Sequence, residues 1–197
     1  ETAPQLWEQF PPERRACIGV GHLGALLKHL KRLPVRYALM VGQITPGRLF
    51  RDFRPDWKAV RMLWGLKERN AETLFGAVAQ EIEGLGVHVL DARAFLDEYL
   101  VTPGLLCGKP LPLEPAYLQK MVDLARLLAQ AHVGQGLVVA QGTVLAVEAF
   151  EGTNAMLRRA GAFGAQEPIF FKTSKPGQDY RFDVPVIGKH TLTVPEE

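Results

Sequence analysis

Between Val101 and Pro115 the chain reads VTPGLLCGKPLPLEP, with prolines at 103, 110, 112 and 115 and glycines at 104 and 108. Proline has no amide hydrogen to give and its ring clashes with a preceding helical turn, so no helix or strand runs through such a stretch. The 197 residues must therefore fold as two small bodies joined by a linker, each of which has to close its own core.

Hydrophobic periodicity fills in the elements. Leu23, Leu26, Leu27 and Leu30 recur at helical spacing until Pro34 stops them. The run Tyr37-Ala38-Leu39-Met40-Val41 predicts a buried, parallel strand ending at Gly42. From Ala71 to Ile82 the apolar residues fall on one helical face, and Gly84 and Gly86 end the helix. Val87-His88-Val89-Leu90 follows as a strand. Beyond the linker come a helix with Leu118, Met121, Val122, Ala125 and Leu128 on one face, and two apolar runs joined at Gln141-Gly142, a hairpin turn pair. Thr153 is placed to cap a helix running to about Ala160, and Pro168-Ile169-Phe170-Phe171 to form a further strand. Helix and strand alternate, so the fold class is α/β: two small α/β domains with a cleft between them.

Composition excludes several classes. The net charge of +2 is too small for a dedicated nucleic-acid binder. No apolar stretch approaches the ~20 residues that span a bilayer. Cys17 and Cys107 are far apart and form no C-x-x-C pair, which argues against a disulfide scaffold or a thiolate zinc site and fits a reducing cytoplasm. The five histidines share no metal spacing.

Three segments invite a functional reading. Gly19-Val20-Gly21-His22-Leu23-Gly24 is a G-x-G-x-x-G opening a helix, as in dinucleotide-binding folds, but only Ala16-Cys17-Ile18 is left to form the strand before it and the acid expected after the next strand is missing. A tight turn into a helix also explains the glycines. Residues 47–69 hold seven basic and three acidic residues, with Phe50, Phe53, Trp57 and Trp64 interleaved. Basic charge with aromatics suits an anionic membrane surface and would also suit single-stranded nucleic acid; the plainer reading packs the aromatics inward. The richest segment is 171–185, read as strand–turn–strand, where Lys172, Lys175 and Arg181 crowd Asp179 and Asp183. Cations offset phosphate charge, and a carboxylate holds Mg²⁺ or accepts a proton from water. Upstream, Glu148 and Glu151-Gly152-Thr153 sit where a strand gives way to a helix N-terminus, a natural place for an anion. A polar hairpin with surface salt bridges is the alternative.

These residues carry a resemblance. Val133-Gly134-Gln135-Gly136, Val144 to Ala149, Glu151-Gly152-Thr153-Asn154, Lys175-Pro176-Gly177-Gln178-Asp179 and Arg181-Phe182-Asp183-Val184-Pro185-Val186-Ile187-Gly188 occur in one order. Together they resemble the LpxI-type UDP-2,3-diacylglucosamine pyrophosphatases, Mg²⁺-dependent hydrolases of lipid A synthesis that release UMP. The resemblance is looser in the N-terminal half, through Gly21-His22-Leu23-Gly24 and Met40-Val41-Gly42-Gln43. Members of that family usually open with a further strand and glycine-rich turn and close with a strand–helix–strand segment, neither of which is in this sequence.

The resemblance implies a partial Rossmann-like N-terminal domain at 1–103 and a C-terminal domain at 104–197 carrying the catalytic motif. Asp183 matches the catalytic aspartate, positioning Mg²⁺ or the attacking water. Lys172, Lys175 and Arg181 would offset charge on the bridging phosphates, and Gln135, Glu148 and Thr153 would line the phosphate or sugar. Gly42 and Gln43 match a strand end lining the cleft. Asn154 stands where the family has an aspartate, and Asn70-Ala71-Glu72 replaces a Gly-Asp-Asp. The expected partners are a UDP-linked diacyl glucosamine and an anionic membrane surface, in a cytoplasmic homo-oligomer peripheral to the inner membrane and without nucleic acid. A UDP-sugar or lipid binder without turnover stays open, as does a dinucleotide-dependent oxidoreductase.

Overall fold

The computed structural model describes residues 4–42, 53–68 and 70–193. They divide into two compact units. The first runs to Glu98 and takes back Asp179–Asp183; the second comprises Tyr99–Gln178 and the chain from Val184 onward. The sequence reading places the boundary at 103/104; the contacts divide at 98/99 and give part of the polar segment to the first unit.

The first unit contains α1 (Leu23–Arg32), β1 (Tyr37–Ala38), α2 (Trp57–Trp64), α3 (Ala71–Glu83) and β2 (His88–Val89). β1 and β2 pair in parallel, Tyr37 opposite His88 and Ala38 opposite Val89. A parallel pair needs a long crossover, and α2 and α3 supply it. The core gathers Leu23 and Leu27 of α1, Ala59 of α2, Ala79 and Ile82 of α3, and Val87 and Val89. α3 starts where the Asn70 side chain accepts the Thr73 N–H at 2.9 Å, so one of the orphan donors of its first turn is satisfied.

Two expectations here need correction. The run from Tyr37 to Val41 is not buried: Tyr37 is 62% and Val41 75% exposed, while Ala38 and Met40 pack on the core. Side chains alternate along an extended chain, so a ribbon covered on one face only turns Tyr37, Leu39 and Val41 outward. Nor does Ala16-Cys17-Ile18 form a strand.

The second unit begins with a linker that is almost entirely exposed. It continues through α4 (Pro115–Gln130), β3 (Gly136–Ala140), β4 (Thr143–Val147), α5 (Thr153–Gly161), β5 (Ile169–Lys172) and α6 (Lys189–Thr193). The sheet is antiparallel with order β4-β3-β5. Gln141 (φ 46°) and Gly142 (φ 83°) turn β3 into β4, both in the left-handed region that a two-residue hairpin demands. Every residue of β3 is buried because helices cover both its faces. Leu137 and Val139 join Met121 and Ala125 of α4, while Val138 joins Met156, Leu157 and Ala160 of α5.

The polar segment after β5 turns at Pro176-Gly177 but forms no second strand, against the strand–turn–strand expectation. It folds into a short turn, with the Phe182 and Asp183 N–H groups both pointing to the Asp179 carbonyl. A chain bent this way presents no ladder to a neighbouring strand.

Candidate functional site

A buried polar cluster lies in the second unit where β4 ends. The Glu148 N–H continues the ladder to the Gly136 carbonyl at 2.8 Å, which fixes where its side chain starts. Gly152, at φ 81° and ψ 171°, then swings the chain into α5, a backbone state that L side chains rarely adopt. Thr153 is thus the first residue of α5 rather than its cap, and the cap position is Gly152, which has no side chain to offer. Its hydroxyl instead donates to Glu148 Oε1 at 2.6 Å and accepts from Lys172 Nζ at 2.8 Å. Lys172 Nζ also lies 3.5 Å from Glu148 Oε2, with the side chains only 9% and 12% exposed.

The glycines of Val133-Gly134-Gln135-Gly136 make room for this cluster. A Cβ on Gly134 would run into the Glu148 carbonyl, and one on Gly136 would lie 2.7 Å from Glu148 Oε2 and 2.9 Å from the Phe170 ring. Glu148 Oε2 is buried and receives no hydrogen bond among the described residues, so the Lys172 ammonium beside it offsets its charge. A buried ion pair of this kind returns little net stability for its desolvation, which makes a functional role the more economical explanation.

Beside it, Gln178 is the one buried polar residue apart from this cluster among the described residues. Its Oε1 accepts the Lys175 N–H at 3.0 Å and the Gln135 Nε2 at 3.4 Å, closing the Pro176-Gly177 turn against the residue that leads into β3.

Asp179, Arg181 and Asp183 belong to the first unit. Arg181 makes a fork on Asp179 (Nε to Oδ1 3.0 Å, a terminal nitrogen to Oδ2 2.6 Å) and reaches Glu83 of α3 at 2.8 Å. Bonding to Asp179 raises its pKa further above the arginine range, and the same bond holds the Asp179 carboxyl below the usual carboxylate value. Asp91 and Arg93 repeat the arrangement almost atom for atom, at 2.9 and 2.6 Å. The two turns interlock: the Ala92 N–H donates to the Tyr180 carbonyl at 2.7 Å, and the Arg93 guanidinium sits 3.7 Å from the centre of the Tyr180 ring. Arg181, nominated as a phosphate ligand, is thus engaged with two carboxylates and pins the turn that bears Asp183. Asp179 is itself part-buried.

Of the remaining nominations, Gly42 is exposed with φ 99°, so any side chain there strains the backbone whether or not a ligand approaches. Gln43 lies outside the described residues. Within the second unit Glu148, Thr153 and Lys172 meet one another, and Gln135 and Lys175 meet Gln178; within the first, Arg181 and Asp183 share the return segment. Among the described residues no three His, Cys, Asp or Glu side chains gather so as to hold a metal ion. The residues missed in the sequence were Gln178, Glu83 and the Asp91–Arg93 turn. The repeated Asp-x-Arg was the available signal for the last.

The glycine motif at 19–24 has an internal explanation. Asp56 Oδ2 accepts the Gly24 and Ala25 N–H groups at 2.7 and 3.4 Å, while Oδ1 accepts the Ala59 N–H at 2.9 Å. One carboxylate therefore serves the N-termini of α1 and α2. Burial pushes its pKa up, but the backbone donors outweigh that and hold it below the usual range. A Cβ on Gly24 would come within 2.9 Å of Asp56 Oδ2, and Gly21 has φ 95° against the Arg54 carbonyl. The chain's own acid thus stands where a dinucleotide would place its pyrophosphate.

The LpxI N-terminal domain model matches residues 1–99, and the LpxI C-terminal domain model matches residues 103–197. The chain belongs to the LpxI family. The UDP-2,3-diacylglucosamine pyrophosphatase LpxI of Caulobacter vibrioides is 32% identical over 190 residues, covering 90% of this chain and 67% of that protein. The two LpxI domains meet in the linker, close to the division of the contacts. The return of Asp179–Asp183 means that sequence matched by the LpxI C-terminal domain completes the first compact unit.

Proposed function

We propose that this chain hydrolyses the pyrophosphate of UDP-2,3-diacylglucosamine in a Mg²⁺-dependent reaction, leaving 2,3-diacylglucosamine 1-phosphate and UMP, from the cytoplasmic side. What carries the reading is the likeness to a pyrophosphatase of that name along 90% of the chain. Lys172 and the first turn of α5 offer positive potential to a phosphate oxygen, with Glu148 orienting both the lysine and Thr153. Asp183 supplies the carboxylate that orients water, or accepts its proton, and Arg181 positions it from the pinned turn. Mg²⁺ is commonly held by one or two carboxylates and the substrate's own phosphates. Asp183 fits that sparse pattern, and the ion would supply charge neutralisation on those phosphates.

The test is release of UMP from UDP-2,3-diacylglucosamine, with Mg²⁺ and with chelator. Turnover that needs Mg²⁺ supports the reading. UMP binding by calorimetry without any hydrolysis favours a UDP-sugar binder of the same family, the reading to which Asn154 and the sparse acid set point.

A further inference from the structure

Helix α2 carries its two largest apolar residues on its outer face. Trp57 is 72% and Trp64 69% exposed, although the buried residue of the helix is Ala59. Positions 57, 61 and 64 lie along one helical face, so the outer stripe reads Trp-Arg-Trp. The two indoles meet edge to face, with centroids 5.8 Å apart. The inward packing that is ordinary for such aromatics is therefore not what this helix does.

The flank of the same helix is basic. Lys58 and Arg61 line one groove, and Lys58 lines a second with Lys28 and Lys31 of α1. Among the described residues Glu81 is the one acid lining either groove, and it is paired to Lys58 at 2.8 Å. Along the sequence no acidic residue occurs from Arg14 to Arg51. Of the basic–aromatic segment, Phe50, Arg48, Arg51 and Arg69 lie outside the described residues.

We propose that this face, with Trp57, Arg61 and Trp64 at its centre and Lys28, Lys31 and Lys58 beside them, docks on an anionic lipid bilayer. Indole has an apolar body and one polar N–H, so it partitions to the boundary between headgroups and acyl chains. Lysine and arginine beside it meet the lipid phosphates, and each adds to the attraction. α2 has the polar flank and short apolar stripe of a helix lying in the interface, and no helix among the described residues is long and apolar enough to cross a membrane. A second copy is the poorer occupant, because a two-fold contact through this face would set its lysines and arginines against themselves. The inference follows from exposure and charge and does not rest on the proposed reaction. Should that reaction hold, docking would bring the chain to the layer where a diacylated sugar resides.

The experiment uses the full chain with Trp7→Phe, so that Trp57 and Trp64 alone fluoresce, since the sequence has three tryptophans. Vesicles of phosphatidylglycerol with phosphatidylcholine should shift the emission to the blue and carry the protein down on sedimentation; phosphatidylcholine alone should do neither. Binding should weaken as salt rises. Trp57→Ser with Trp64→Ser, and separately Lys31→Glu with Arg61→Glu, should each cut the partition coefficient about tenfold or more. Circular dichroism checks that each variant is folded, and the charge pair keeps the test decisive if the tryptophan pair is not. Equal sedimentation of the wild type and a folded variant overturns the proposal. So does a dimer in ultracentrifugation, or oligodeoxythymidine binding, that these substitutions abolish while vesicles are ignored.

Discussion

Glu148, Thr153 and Lys172 show how much one buried charge depends on its neighbours. Replacing Lys172 by Met leaves the Glu148 carboxylate buried without its cation, and breaking such a pair costs roughly 3–5 kcal/mol. Chemical denaturation should record that loss, and Glu148→Leu with Lys172→Met should recover most of it. Recovered stability without recovered UMP release would assign the pair to substrate rather than to the fold. The two aspartates of the return segment should behave differently. Asp183→Ala removes the carboxylate proposed for the chemistry, so kcat should fall at least ~100-fold with UMP affinity little changed. Asp179→Ala removes the partner of Arg181 and should act first on stability. Its carboxyl and that of Asp91 have lowered folded pKa values, through bonding to Arg181 and Arg93. Their contribution is therefore complete above the unfolded carboxylate value and fades as pH falls through the folded ones. Acid titration of the melting temperature should show a shallower decline in Asp179→Ala than in wild type; parallel curves would mean the pairing adds nothing.

At the level of elements, the sharpest dependence is that of α1 and α2 on Asp56. A single carboxylate accepts N–H groups from the first turns of both helices, so Asp56→Ala removes two caps at once. A cap is worth ~1 kcal/mol, so a loss of about 2 kcal/mol is expected by urea unfolding, and Asp56→Asn should retain part of it. No motif announced this double role, because Asp56 lies 32 positions from Gly24. What the sequence made legible was local. The Gln141-Gly142 turn, the periodicity of α3 and the apolar run of β3 each depend on a few adjacent residues. Burial was harder, because it depends on whether a second layer exists. Leu137 to Val139 have helices on both sides, whereas Tyr37 and Val41 face outward. Trp57 and Trp64 have the same composition signal as a core helix, and only the placement of Ala59 and Met62 against the core shows which side of α2 is outside. Of the nominated residues, Glu148, Thr153 and Lys172 meet where β4 passes into α5, a passage visible in the sequence. The role of Arg181 was not legible, since its partner Glu83 is 98 positions away.

The chain as a whole does not fold as two consecutive pieces. Asp179–Asp183 leaves the second unit and completes the first, bringing Arg181 to Glu83, the Tyr180 carbonyl to the Ala92 N–H, and the Phe182 ring to within 6.0 Å of Phe75. This has an energetic consequence for the N-terminal half. Without the return segment, Glu83 loses its cation, Arg93 loses the ring it stacks on, and the apolar edge of Phe75 meets water. Hydrogen bonds to charged groups contribute about 1.5–3 kcal/mol each, and a part-exposed pair contributes toward the lower end. A chain ending at Gln178 should therefore unfold its first unit about 2 kcal/mol or more below the full chain. The measurement is direct, because Trp7, Trp57 and Trp64 all belong to the first unit. Tryptophan emission against urea follows that unit alone, while far-ultraviolet dichroism follows both. Arg181→Ala in the full chain should lower the tryptophan midpoint in the same direction by a smaller amount, and a peptide spanning 176–188 should raise the midpoint of the truncated chain. Identical tryptophan midpoints in the full and truncated chains would mean that the segment rests on the first unit without supporting it.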